Sequence, residues 1–485
     1  MDDELREPSN DGPQDFLEEL LRGFIGADGA AEAARAMREQ GFRLPPLGGV
    51  GSAGAMGQAM SQFRFLMNSS DGPVNWRAAE DIGRQAAYQS GDPRLSAAQA
   101  QRARQALSIA DLWLDPVTDL AAPGGQKDAW TRVQWVDRTL PAWKRILNPI
   151  ALNVSRAMTD ALQEQMGDGH GLPEGLGSLA SGISKIIPRM SAMSFGAQVG
   201  QALGAMAKDG FGSSDTGFPL VDPGLAALVP ANLAAFAEGL DLDYAAIEQY
   251  LAVREAAHAR LFAAIPWLRH DLELALIRYA EEIEVDTEAI ADAARSIDPS
   301  NPNSVNEALA AGVFTSEISE SQAKALERLE TLLSLVEGWV ETVTTEAVAP
   351  YLPEADRLRE LVRRRRVTGS SAEALLGQLV GLKLRPRQAR GAAALFRHLQ
   401  EQAGPEARDA VWAHPDHVPT AADLENPSQF GVDRAAEAPA DPELDDELRR
   451  LLDGTLGWHE GVPEQKRNAE RGDPPEPGEP EPGPS

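Results

Sequence analysis

Residues 254–258 read Arg-Glu-Ala-Ala-His. This is one residue away from His-Glu-x-x-His, a pattern in which two histidines four apart on one helical face bind zinc and the intervening Glu acts as general base. Glu255 and His258 stand where that chemistry needs them, but Arg254 occupies the place of the first ligand. A guanidinium stays protonated at physiological pH and offers no lone pair to a metal. Further along the chain, Glu337 and Glu341 are spaced to share one face of a helix. A zinc site of this kind can draw its third ligand from a Glu on such a later helix, with an acidic residue one turn on orienting a histidine. His258 and Glu337 are therefore candidate ligands of an incomplete metal site, and Glu255 is a candidate catalytic base if that site is active. Arg254 with Glu337 or Glu341 is a candidate ion pair replacing the metal between two helices.

The elements that must position these residues are read from apolar spacing. Helical periodicity dominates from about Val74 to Ala413. It predicts helices over Trp76–Ser90, Ser96–Leu112 with Ser96 as N-cap, Asn148–Gln165, Ser191–Lys208, Asp241–Ile265, 268–283, Ser321–Val348, Ser371–Leu382 and Pro386–Gln402. The 241–265 helix carries the Arg-Glu-x-x-His run and the 321–348 helix carries Glu337 and Glu341. Gly196, Gly200 and Gly204 fall on one face, which lets a neighbouring helix approach closely. Trp113, Trp130, Trp135 and Trp143 read as packing residues. The loop DGFGSSDTGFPLVDPG is a candidate cleft edge, and Leu225–Val229 is the best strand candidate. The expected fold is mainly α, a helical domain with at most a small β element.

Composition narrows the functions available. The 485 residues contain no Cys, which excludes thiolate metal sites, disulfides and Cys nucleophiles. A net charge of −29 argues against nucleic acid as a partner. The basic run Arg363–Arg366 reads as a solvated helix face paired with Glu354, Asp356 and Glu360. Ala192–Ala207, the longest apolar candidate, is too short to span a bilayer and contains Ser194, Gln198 and Gln201, so no membrane partner is expected. The N-terminus lacks the basic and apolar regions of a signal peptide, and the expected location is cytoplasmic. Gly49-x-Gly51-x-x-Gly54 follows two prolines rather than a strand and reads as a linker, not a dinucleotide site. No Gly-x-Ser-x-Gly elbow or phosphate-binding Gly-Lys-Ser/Thr loop is present.

The expected organisation has four parts. Residues 1–14 form a disordered N-terminus, 15–73 a short helix and Gly-rich linker, 74–415 the helical domain, and 416–485 an acidic, Pro-rich, mostly disordered tail. Pro442–Leu456 in the tail has helical patterning and reads as either a partner-docking helix or a transient one. Other histidines do not complete a metal site. His270 lies beyond the Pro266 turn, and the His414-Pro-Asp416-His417 run reads as a solvated turn.

Four stretches resemble the zincin-like metallopeptidases, also described as hydrolases, of high-GC Gram-positive bacteria. They are MSFGAQVGQALG (193–204), TGFPL (216–220), LAVREAAHARLFAAIPWL (251–268) and LVEGWVETV (335–343). The resemblance covers roughly residues 75–415. It implies a mostly helical zincin-like domain with a peptidase site, Glu255 as base and His258 and Glu337 as ligands. The first ligand does not carry over, because Arg254 stands there.

Three functional expectations follow. The first is a non-catalytic zincin relative, without a cofactor, whose cleft binds a peptide or protein. The second is an active zinc hydrolase in which a substitute ligand completes the site and Glu255 activates a metal-bound water. The third is a helical interaction protein that recruits partners through its acidic tail.

Overall fold

A computed structural model describes residues 72–89, 91–166, 177–281, 319–367, 377 and 388–430, with backbone alone for 157–166, 177–188, 190 and 367. The Gly-rich stretch, the helix expected over Ser371–Leu382, the loop 167–176 and the segment Pro442–Leu456 lie outside the described residues.

In chain order the described elements are α1 (Trp76–Tyr88), α2 (Ala97–Leu114), β1 (Lys127–Ala129), α3 (Arg132–Met166), α4 (Gly177–Asp209), β2 (Ala226–Leu228), α5 (Pro230–Ala237), α6 (Tyr244–Ala264), α7 (Pro266–Glu281), α8 (Glu320–Val348), α9 (Ala355–Val367), α10 (Ala389–Ala410) and α11 (Ala421–Glu425). The fold is mainly α with a small β element, as the periodicity predicts. Local chemistry explains the main boundaries. Ser96 and Ser319 start α2 and α8 with reciprocal capping boxes to Gln99 and Gln322, and Asp243 caps α6. Pro266 ends α6 and opens α7. The tail assigned by composition from residue 416 begins with ordered chain, because Thr420 and Asp423 form a capping box that starts α11.

Helix α8 is the spine of the domain. Leu329, Leu332, Leu335, Val336, Trp339, Val340 and Val343 are all fully buried on it. It packs against α6, α7 and α10. Gly338 makes the α10 contact possible, since a Cβ there would lie 2.6 Å from the Ala393 backbone nitrogen. The glycine face expected on α4 is also used: a Cβ on Gly200 would lie 2.7 Å from the Ala79 carbonyl of α1. Trp130, Trp135 and Trp143 are buried as packing residues, whereas Trp113 is half-buried and stacks on Tyr351.

The sheet has two parallel strands, with Lys127 opposite Ala226 and Ala129 opposite Leu228. β2 coincides with the expected strand, and β1 was not legible from its three residues, Lys-Asp-Ala. Gly212 makes a further antiparallel bridge to Leu228, so the loop after α4 lies along β2. Two side chains fix that loop. Trp135 Nε1 donates to the Gly212 carbonyl at 2.9 Å, and Asn232 Nδ2 donates to the Ala207 and Gly210 carbonyls at 2.9 and 2.6 Å. On the far side of α8, the buried Asp409 accepts from Trp339 Nε1 at 2.8 Å, Thr118 Oγ1 at 2.6 Å and Arg408 Nε at 2.8 Å. This hub sets the rotation of α8, and with it the direction in which Glu337 points.

Candidate functional site

Arg254, Glu255 and His258 are held in the middle of α6 and are 4%, 3% and 2% exposed. The α6 sequence around them, LAVREAAHARLF, is buried on every side, and the alanines keep that helix thin enough for α8 and β2 to close on it. Glu337 and Glu341 come from α8, one turn apart, as the spacing predicts.

Arg254 Nη2 lies 2.7 Å from Glu337 Oε1 and donates to it. Burial alone would lower the Arg254 pKa and raise that of Glu337. Their attraction outweighs burial in both, so the guanidinium is more firmly protonated than usual and the carboxyl lies below the ordinary carboxylate range. A second guanidinium helps: Arg366 Nη1 from α9 is 2.6 Å from Glu337 Oε2, an ion pair without hydrogen-bond alignment. Glu341 does not join Arg254. It takes both arms of Arg363, at 2.7 Å from Nε to Oε2 and through Nη2 to Oε1.

Glu255 faces the other way, into the loop that follows α4. Its Oε1 accepts from the Ser213 backbone N–H at 3.0 Å and from the Ser213 hydroxyl, and its Oε2 accepts from the Ser214 N–H at 3.2 Å. Gly212 has no space for a side chain here, because a Cβ would collide with the Glu255 carboxyl and lie 2.6 Å from the Ala227 carbonyl. Burial pushes the Glu255 pKa up to about 7, against the bonds from Ser213 and Ser214 that favour the charged form.

His258 Nδ1 is 2.9 Å from the Arg254 carbonyl. A carbonyl only accepts, so Nδ1 carries the proton and Nε2 presents a bare lone pair. Burial, and then the neighbouring Arg254 charge, lower the His258 pKa to about 4, so the ring is neutral. Nε2 is buried and has no hydrogen-bond partner. His258 borders a cavity of about 10 Å³, room for roughly one water, lined also by Phe211, Gly212, Asp215, Arg254 and Glu255 among others.

Several contributors to this site carried no individual signal. Ser213, Ser214 and Asp215 lay in a loop read as a candidate cleft edge, with no residue of it singled out. The arginines of α9 were read as a solvated face, and the structure corrects that. Arg364 does pair with Glu360 on the surface, but Arg363 and Arg366 turn inward to Glu341, Glu337 and Asp215. The Arg365 guanidinium sits over Phe211, 3.8 Å from its ring centre, and donates to the Asp209 carbonyl. The physical reason is that buried carboxylates on α8 demand counter-charge, and one edge of α9 is the nearest source. His270 is exposed on α7, and His414 and His417 are exposed far along the chain, so none approaches His258 as a substitute ligand.

These residues do not fit a zinc ion. A catalytic zinc needs three protein ligands. The first position holds a guanidinium, and Glu337 is already engaged by Arg254 and Arg366. Among the described residues no group of three or more His, Asp or Glu side chains is placed to hold a metal. Among the same residues no helix is long and apolar enough to cross a membrane.

Comparison with solved structures finds a "putative hydrolase with a novel fold" from Chloroflexus aurantiacus. It matches with a TM-score of 0.54 and 17% identity, over 75% of this chain and 99% of that one, a likeness of fold. Comparison with curated proteins gives no match. The model of the zincin-like metallopeptidase family matches residues 74–430, a span that includes α1 to α11 and every residue of the site. The chain belongs to the zincin-like metallopeptidase family.

Proposed function

We propose that this protein is a non-catalytic member of its family, in which an ion pair has replaced the metal and the remaining cleft binds a peptide or protein. The observation that carries the reading is the Arg254–Glu337 contact of 2.7 Å. The guanidinium supplies to Glu337 the positive charge that a metal would otherwise supply, and it does so permanently. Three further features support it. A divalent cation at His258 would face the Arg254 charge across one helical turn. Glu255 spends its acceptor capacity on Ser213 and Ser214, which makes it a brace for the loop rather than a base aimed at a water. All three α6 residues are buried too deeply for a peptide bond to reach them in this conformation.

The test is metal content by elemental mass spectrometry, on untagged protein from metal-clean buffer with zinc added back. The natural chain should carry no zinc. Arg254→His should take up about one equivalent, because His258 already presents its lone pair in the ligand tautomer and Glu337 Oε1 would be freed to coordinate while Oε2 stays paired with Arg366. Stoichiometric zinc in the natural chain would overturn the proposal and make the active hydrolase, with Glu255 as base, the better reading.

A further inference from the structure

Helix α9 is held against the site mainly by charge. Its buried apolar anchors among the described side chains are Leu358 and Val362. Its other attachments include guanidinium contacts: Arg357 to the Asp241 carbonyl, Arg363 to Glu341, Arg365 across Phe211 and to the Asp209 carbonyl, and Arg366 to Glu337 Oε2 and to the Asp215 carbonyl and carboxylate at 2.9 and 3.3 Å. The groove they enter is made of acceptors. Asp215, Glu337 and Glu341 are carboxylates, and Asp215 shares a small cavity with His258, whose Nε2 is buried and unpartnered. Burial raises the Asp215 pKa, but Arg366 and Arg365 outweigh it and keep the carboxyl below its usual range, so Asp215 faces the arginines as an anion.

The groove lined by Asp215 of the loop after α4 and by Glu337 and Glu341 of α8 thus receives guanidinium groups and is occupied by the chain's own. We infer that α9 is a displaceable internal occupant, and that the external ligand of this groove is a helical peptide segment carrying clustered arginines. This rests on the non-catalytic reading above and names its partner class. The charge pattern carries the assignment: Arg363 meets Glu341, Arg366 meets Glu337 and Asp215, and Arg365 meets the Phe211 ring and the Asp209 carbonyl, a set that a single cation or an apolar helix would leave unsatisfied. The α9 arginines are also the more releasable layer. Their side chains are 28–29% exposed at Arg363 and Arg366, against 5% at Arg254. Salt screens such half-exposed pairs and barely touches the Arg254–Glu337 pair beneath. Lifting α9 would therefore open the groove without dismantling the α6–α8 interface.

The probe is a fluorescent peptide of residues 355–367, ADRLRELVRRRRV, followed by anisotropy with the full-length natural chain and with Arg363→Gln/Arg365→Gln/Arg366→Gln. The variant should bind the peptide at least about tenfold tighter than the natural chain, and salt should weaken that binding. Adding Asp215→Asn to the variant should weaken it again. A folded variant that binds no tighter than the natural chain overturns the inference, as does binding indifferent to Asp215→Asn. If the variant fails to fold, hydrogen exchange of the natural chain decides the matter. Faster exchange of α9 amides at about 1 M salt, with α6 and α8 still protected, supports a displaceable helix. Exchange of α9 together with α6 and α8 at every salt concentration overturns it. Zinc content of the same samples separates the two proposals: zinc uptake would sink the metal-free reading, whereas absent peptide binding in zinc-free protein sinks only this one.

Discussion

Arg254 and Glu337 meet at 2.7 Å across the interface between α6 and α8, with side chains 5% and 12% exposed. Two helices that are apolar over most of their contact therefore share one buried, mutually neutralising pair. Burying two charges is costly, and the pair stabilises the fold relative to either charge left alone, not relative to a well-packed apolar pair.

That asymmetry sets the first prediction. Arg254→Ala should destabilise the protein by about 3 kcal/mol, the lower end of the range for a broken buried pair, because Arg366 still faces Glu337. Arg254→Met/Glu337→Leu should recover part of the loss, since it removes both charges and restores volume. Urea denaturation of the single and double variants measures both terms. A loss below about 1 kcal/mol in Arg254→Ala would place the guanidinium among ordinary surface pairs.

The second prediction concerns pH. Glu255 has a folded pKa of about 7, raised from 4.5 by burial. Its contribution to stability is fully present below pH 4.5 and is lost as pH rises through 7. His258 has a folded pKa of about 4, lowered from 6.5. Its contribution is present above pH 6.5 and is lost as pH falls through 4. Between pH 4.5 and 6.5 the two slopes oppose each other. Glu255→Gln should therefore leave a protein whose stability rises with pH over that window. His258→Gln should leave one whose stability falls with pH. Thermal melts across the window give the answer, and two variants with parallel pH profiles would contradict the assignment of these shifts.

Packing behind the site yields the third. A Cβ at Gly338 would lie 2.5 Å from the Ala392 Cβ and 2.6 Å from the Ala393 nitrogen. Gly338→Ala should push α10 off α8 and cost about 1–3 kcal/mol, despite the better helix propensity of alanine. An unchanged melting temperature would mean that α10 has more freedom than this contact allows.

Part of this site was legible in the chain itself. The pairing of Arg254 with an α8 carboxylate follows from residue type and helical spacing, and Glu337 is the partner found. The choice between Glu337 and Glu341 was not legible. It depends on the rotation of α8, which Trp339 fixes by donating to Asp409, a residue seventy positions away in sequence. Glu341 is left to Arg363 for the same reason.

By itself the sequence determined that the protein is helical, that α6 carries the Arg-Glu-x-x-His run and that α8 carries Glu337 and Glu341. Those properties are local: periodicity, capping and side-chain chemistry act within a few residues. Only the tertiary structure decided that Glu255 braces the loop at Ser213, that Arg363 and Arg366 of α9 turn inward, and that His258 Nε2 is buried without a partner. Each of those outcomes depends on which distant group supplies the charge or hydrogen bond that a buried polar atom requires, and sequence spacing carries no record of that partner.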